Sequence, residues 1–237
     1  MTVTRRTLLQ AAPIAALGAT AWLGVRAQSL RPDARSALVV VDVQNCFVGG
    51  GTLPVKEGEA VVPVINRMAA KFANVVLTQD WHTPGHASFA SAHPGKKPFE
   101  TTTLPYGTQV LWPDHCVQGT ADAALHPALS IPHAQLIVRK GYHPHVDSYS
   151  AFMEADGKTP TGLGAYLKER GIRSLYIAGL ATDFCVAWTA LDARKAGFEV
   201  AVVEDATRAI DLNGSLAAAW AQMGAAGVRR IQSTAIA

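Results

Sequence analysis

The chain has 237 residues, 49% hydrophobic and 16% charged, with a formal net charge of +3. That length can bury one sizeable core and suits a single α/β domain. Arg5, Arg6 and Arg26 carry the whole excess in a stretch without acids, so the remaining body is neutral and offers no basic footprint for nucleic acid.

Thr4-Arg5-Arg6-Thr7-Leu8-Leu9 is a twin-arginine pattern, followed by an apolar stretch from Ala11 to Val25. Val25-Arg26-Ala27 fits a small-residue cleavage site. Residues 1–27 therefore resemble a Tat-type export signal, with Leu8 where such signals more often have Phe. The expected location is the periplasm, with no stable membrane association once the signal is removed. An uncleaved anchor is the alternative; Pro13, Gln10 and the short length weigh against it. Tat-type export carries folded proteins, often with a cofactor inserted, which fits a metalloenzyme.

Residues 28–35 read as a linker and residues 36–237 as the folded domain. Ser36 to Val43 is a continuous β-branched run, a strand buried on both faces, with Asp42 near its end. Gln44 to Gly51 forms a Gly-rich loop. Val61, Ile65, Met68 and Phe72 have helical spacing. A second strand spans Asn74 to Thr78 and runs into Asp80. Residues 81–133, rich in His, Pro and Gly, read as one long loop, usually a sign of function. Ala134 to Lys140 is a third strand. An irregular stretch, 141–160, precedes a helix near Leu163 to Arg170. The fourth strand is 174–180, with a helix to about Ala196. Glu199 to Glu204, a helix over Ser215 to Ala226 and a short strand over Val228 to Gln232 complete the pattern. The alternation predicts a doubly wound, mostly parallel six-stranded sheet with helices on both faces and right-handed crossovers.

Asp42, Asp80, Lys140 and the 181–185 turn all fall at the C-terminal ends of strands, where such sheets bind ligands. Cys185 stands where a helix should begin, and unpaired N–H groups and the helix dipole there favour a thiolate nucleophile. Asp42, at the mouth of an apolar layer, is a candidate base, and Lys140 a cation between acid and thiol. The plain alternatives are a buried structural cysteine and a salt bridge between strands. Asp80-x-His82 puts two side chains on one face of an extended segment, and His115 could complete a site. One carboxylate with two imidazoles suits one divalent ion: zinc, iron or manganese. Of the other histidines, His86 is the leading candidate for a further ligand. Three cysteines cannot all pair. With Cys185 free, Cys46 and Cys116 could bridge, or Cys116 could pack beneath the site; a Cα separation above about 7 Å would exclude the bridge.

Val41-Asp42-Val43-Gln44-Asn45-x-Phe47, Gln79-Asp80-Trp81-His82, Trp112-Pro113-Asp114-His115-Cys116-Val117, Arg139-Lys140-Gly141, Asp147 to Phe152 and Gly179 to Val186 together resemble the nicotinamidases, or pyrazinamidases, among the isochorismatase-like (Rossmann-like) cysteine hydrolases. The resemblance covers nearly all of 36–237, in order. It implies a catalytic Asp42, Lys140 and Cys185, and an oxyanion hole from the N–H groups of Ala181 and Cys185 after a cis Leu180–Ala181 bond. It further implies metal ligands Asp80, His82 and His115, with the ion on the pyridine nitrogen of the substrate. Phe47 and Trp112, with Tyr149 nearby, would hold the ring. The implied reaction is hydrolysis of nicotinamide, and of pyrazinamide, to the acid and ammonia through a Cys thioester. Cys46 departs from the family, which usually has Asp there. Two alternatives stay open: another cysteine hydrolase acting on an N-carbamoyl compound, ureide or isochorismate, whose relatives generally lack the metal set, and an exported metal- or nicotinamide-binding protein without turnover. A homo-oligomer is equally open.

Overall fold

Successive residues of a strand face opposite sides, and Ser36–Val41 (β1) is apolar on both, so it must be covered twice. All six of its residues are buried. The computed structural model describes residues 30–237. The expected export signal, 1–27, lies outside the described residues. Strands Asn74–Asp80 (β2), Leu136–Lys140 (β5), Ser174–Leu180 (β6), Glu199–Arg208 (β7) and Arg229–Ile231 (β8) join β1 in one sheet, while Thr101–Leu104 (β3) and Gly107–Val110 (β4) form a separate hairpin. The order in the main sheet is β5-β2-β1-β6-β7-β8, with every pair parallel. Helices Val61–Ala69 (α1), Leu163–Glu169 (α2), Ala187–Lys195 (α3) and Ser215–Ala225 (α4) cover it.

The two faces of β1 sort the core. Leu38 and Val40 pack with Val61, Val62, Ile65 and Met68 of α1. Ala37, Val39 and Val41 pack with Leu163 and Leu167 of α2, Ala190 and Ala193 of α3, and Ala219 and Met223 of α4. The doubly wound architecture read from the sequence is the one observed. Chain order reverses between β1 and β6, which places the switch point, and so the site, at their C-terminal ends.

Three expectations need correction. The long loop contains the β3–β4 hairpin, in which only Gln109 is buried. Without a buried face it left no apolar alternation to read. The fifth predicted strand does not stop at Glu204 but runs to Arg208, because a register shift after Ile177 lets Thr207 and Arg208 pair with Gly179 and Leu180. Finally α1 ends at Ala69, and Phe72 is buried beyond it in the connection to β2.

Candidate active site

Strand register builds the site. Asp80 and Lys140 are direct partners across β2 and β5, and Val41 lies opposite Gly179 across β1 and β6. Gly179 has φ 115°, and a Cβ there would collide with the Val41 carbonyl oxygen. Only glycine lets β6 pass so close to the strand end that delivers Asp42. The Leu180–Ala181 bond is cis, as the family resemblance implied. A π-type turn over Thr182–Val186 then leads into α3, with Val186 N–H donating to Ala181 O at 3.1 Å.

These elements bring the candidate triad together. Lys140 Nζ lies 2.8 Å from Asp42 Oδ2 and donates to the Ser148 carbonyl at 2.8 Å. It also reaches Cys185 Sγ at 3.4 Å and pairs with Asp80 Oδ1. Thr78 Oγ1 donates to Asp42 Oδ1 at 2.5 Å and accepts the Asp42 N–H, so with Lys140 on Oδ2 both carboxylate oxygens are held. Carboxylate oxygens of Asp42 and Asp80 and the sulfur of Cys185 all lie within 4.8 Å of one another.

Burial pushes the Asp42 carboxyl above its ordinary range; Lys140 opposes the shift and Asp80 reinforces it. Burial alone would lower Lys140, but the Asp42 and Asp80 carboxylates hold it well above its usual value as a fixed cation. The resting state of Cys185 differs from the sequence expectation. Burial pushes its thiol well up, and Asp42 and Asp80 add to that against the pull of Lys140. A neutral thiol beside a carboxylate, not a ready thiolate, is therefore the resting pair. Burial outweighs the pull of one ammonium and the helix start, and the two carboxylates reinforce it.

Asp80 Oδ2 sits 3.7 Å from His82 Nε2 and 3.8 Å from His115 Nε2, with all three residues buried. Nδ1 of His82 faces the Gly141 carbonyl at 2.9 Å, and Nδ1 of His115 faces the Pro113 carbonyl at 2.8 Å. Each carbonyl accepts a hydrogen bond from Nδ1–H and leaves the Nε2 lone pair free, the tautomer a metal-binding imidazole needs. Ligand atoms of the three residues lie within 4.8 Å of one another, so the set fits a divalent ion. Gly141 has φ 66°, and a Cβ there would meet the His82 ring at 2.7 Å. His86 is not part of this set. Its Nδ1 meets Ser88 Oγ at 2.8 Å and its Nε2 the His143 carbonyl at 2.9 Å.

Three candidate ring contacts surround this centre. Phe47 stands edge-on to His115 at 5.6 Å. Trp112 donates from Nε1 to Tyr149 Oη at 3.0 Å. Phe184, next to Cys185, lies 4.9 Å from Trp112 and 5.6 Å from Tyr149.

The Isochorismatase domain model matches residues 36–235. The chain is 62% identical over 197 residues to the nicotinamidase of Acinetobacter baylyi, covering 83% of this chain and 92% of that protein. The solved nicotinamidase/pyrazinamidase of Acinetobacter baumannii superposes with a TM-score of 0.85 at 64% identity, over 85% of this chain and 98% of that one. The pyrazinamidase of Pyrococcus horikoshii, solved in complex with zinc, has a TM-score of 0.68 at 34% identity, over 84% and 99% of the two chains. The chain belongs to the isochorismatase family, in its nicotinamidase/pyrazinamidase branch. It is an amidohydrolase.

Several parts of this isochorismatase-family site are not readable from residue pattern. Thr78 and Ser148 hold Asp42 and Lys140 through a hydroxyl and a backbone carbonyl, which no motif spacing announces. Phe89 is fully buried and edge-on to His82 at 5.4 Å, in a stretch read only as loop. Asp183 accepts the N–H groups of Ile210 and Asp211 and so ties the turn that carries Cys185 to the β7–α4 connection. Its place two residues before Cys185 was the available signal.

Behind Tyr149, Glu154 is buried, 3.8 Å from His143 Nε2, with Oε2 lacking a hydrogen-bond partner among the described residues. Burial, then Asp156 and Asp147, push its carboxyl up to about 7. A raised carboxyl favours the fold below its unfolded value of 4.5 and loses that contribution as pH rises through about 7. Glu154→Gln is therefore expected to melt above wild type at alkaline pH and level with it under acid conditions. Thermal melts in both buffers check this; a shift of the same size in each would remove the proposed cause.

Proposed function

We propose that the protein hydrolyses nicotinamide, and pyrazinamide, to the acid and ammonia through a thioester on Cys185, with one divalent ion held by Asp80, His82 and His115. The single observation that carries this reading is Lys140 Nζ, placed against Asp42, Cys185 and a ligand of the candidate metal set at once. Asp42 takes the Cys185 proton as sulfur attacks the carboxamide carbon, so the resting neutral thiol is consistent with catalysis. The N–H groups of Ala181 and Cys185 are the proposed donors to the oxyanion. Asp42 returns the proton to the amide nitrogen, ammonia leaves, and a thioester remains. Asp42 then deprotonates water, which attacks the same carbon, and the acid departs as the thiol reforms. Lys140 keeps its proton throughout and balances the charge that moves between oxygen and sulfur. The bound ion would supply a Lewis acid for the pyridine nitrogen. Phe47, Trp112 and Tyr149 are the proposed ring contacts, and Phe184 joins them by position.

One assay tests the proposal. Purified protein is expected to release ammonia and nicotinate from nicotinamide, to lose that activity on chelation and to recover it with zinc, iron or manganese. Metal-loaded protein that releases no ammonia would end the amidase reading; full activity after chelation would end the metal part.

The leader extends the proposal to place. Thr4-Arg5-Arg6-Thr7 supports Tat-type export to the periplasm, and a disulfide between Cys46 and Cys116 suits an oxidising compartment. Replacing Arg5 and Arg6 with lysine is expected to move the protein from the periplasmic to the cytoplasmic fraction. An unchanged distribution in cell fractionation would refute the signal.

A further inference from the structure

Cys46 and Cys116 form a disulfide with their Cα atoms 5.6 Å apart, within the range that allows a bridge, and both residues are fully buried. The bridge spans 70 residues, and all three candidate metal ligands, Asp80, His82 and His115, lie inside the loop it closes. Its two ends touch the site directly. Cys116 follows His115 in the chain, and its carbonyl accepts the His82 N–H at 3.1 Å. Cys46 precedes Phe47, which packs edge-on against His115. Cys116 also has φ 46°, a left-handed conformation that an L residue keeps only under local constraint.

We propose that the Cys46–Cys116 bridge is a positioning device for the cation site: it fixes the backbone after His115 so that this imidazole stays aimed at Asp80 and His82. The proposal rests on the metal reading of the same site. Residue 46 is the position where the family resemblance leads one to expect an acid, and Cys46 stands there instead. The bridge does not act alone. Asp122 accepts the Cys116 N–H through Oδ2 at 3.1 Å and the Cys46 N–H through its carbonyl at 2.8 Å, so both loops keep a shared tether when the sulfurs part. Loss of the bridge should therefore loosen His115 rather than unfold the domain.

The test titrates the metal-free full-length chain with Co²⁺, whose visible spectrum reports ligand geometry independently of turnover. The oxidised protein is compared with the Cys46→Ser/Cys116→Ser variant. It is also compared with protein reduced by dithiothreitol, in which two electrons and two protons convert the bridge to two thiols while the reagent closes to its cyclic disulfide and is removed. Without the bridge, Co²⁺ affinity is expected to fall by about 10- to 100-fold with an altered spectrum, the range seen when a group orienting a ligand is lost. Ile65→Ala, in the buried face of α1, supplies a control of general destabilisation and should lower Tm without changing Co²⁺ affinity. Equal affinities with and without the bridge, or an equal loss in Ile65→Ala, would overturn the positioning role while leaving the metal reading intact. An oxidised chain that takes up no Co²⁺ would withdraw both together.

Discussion

Cys185→Ala is expected to lower kcat for nicotinamide by about 10⁴-fold or more while the protein still folds and still binds its cation. The size of the loss follows from the site having no substitute. Cys185 is the one free cysteine, since the other two are bridged. Retention of fold follows from the resting charge. The thiol is neutral at rest, so its removal leaves the balance among Lys140, Asp42 and Asp80 untouched. Asp80, His82 and His115 lose no partner to the substitution. Ammonia release and metal content should be measured on one sample. A variant within tenfold of wild type would show that sulfur is not the nucleophile; a variant that loses its metal would show that the two halves of the site are less separable than their contacts imply.

The strands that build this site were readable because each opens on an apolar run and turns polar towards its tip, although β5 buries only one face. Asp42, Asp80 and Lys140 stand out at those tips, and a parallel sheet brings strand tips to one edge. Periodicity failed where no apolar residue is buried, as in the β3–β4 hairpin, and where pairing outlasts the apolar run, as at Thr207 and Arg208. The state of Cys185 was misjudged for a different reason. A helix start is visible in one stretch of sequence, whereas the burial that keeps the thiol protonated, and the two carboxylates that add to it, come from elements packed around it in space. The bridge was legible only as an option, because cysteines 70 residues apart give no pairing until the loops that carry them are placed.

The same network predicts the largest effect on stability. Lys140→Met should destabilise the metal-free protein by about 3–5 kcal/mol, the usual result of removing one member of a buried ion pair, and lower Tm by about 10 °C for a chain of this length. Methionine fills most of the space but leaves Asp42 and Asp80 facing each other with no cation between them, in a site where Lys140 is fully buried. The pH dependence separates this cause from simple loss of packing. In wild type the folded Lys140 is held well above its ordinary value of 10.5, so its contribution is present across the neutral range and is lost only at high alkaline pH. In the variant both carboxyls can escape repulsion only by taking up protons. Their folded values rise above the unfolded ones, and the variant regains stability as pH falls towards the ordinary carboxyl range near 3.8. The gap between wild type and Lys140→Met, read from denaturant melts of chelated protein, should therefore narrow steadily from pH 8 to pH 5. A gap that stays constant would mean that the lost volume, and not the uncompensated charge, sets the cost, and Lys140 would then have no claim to hold the acid and the thiol in their working states.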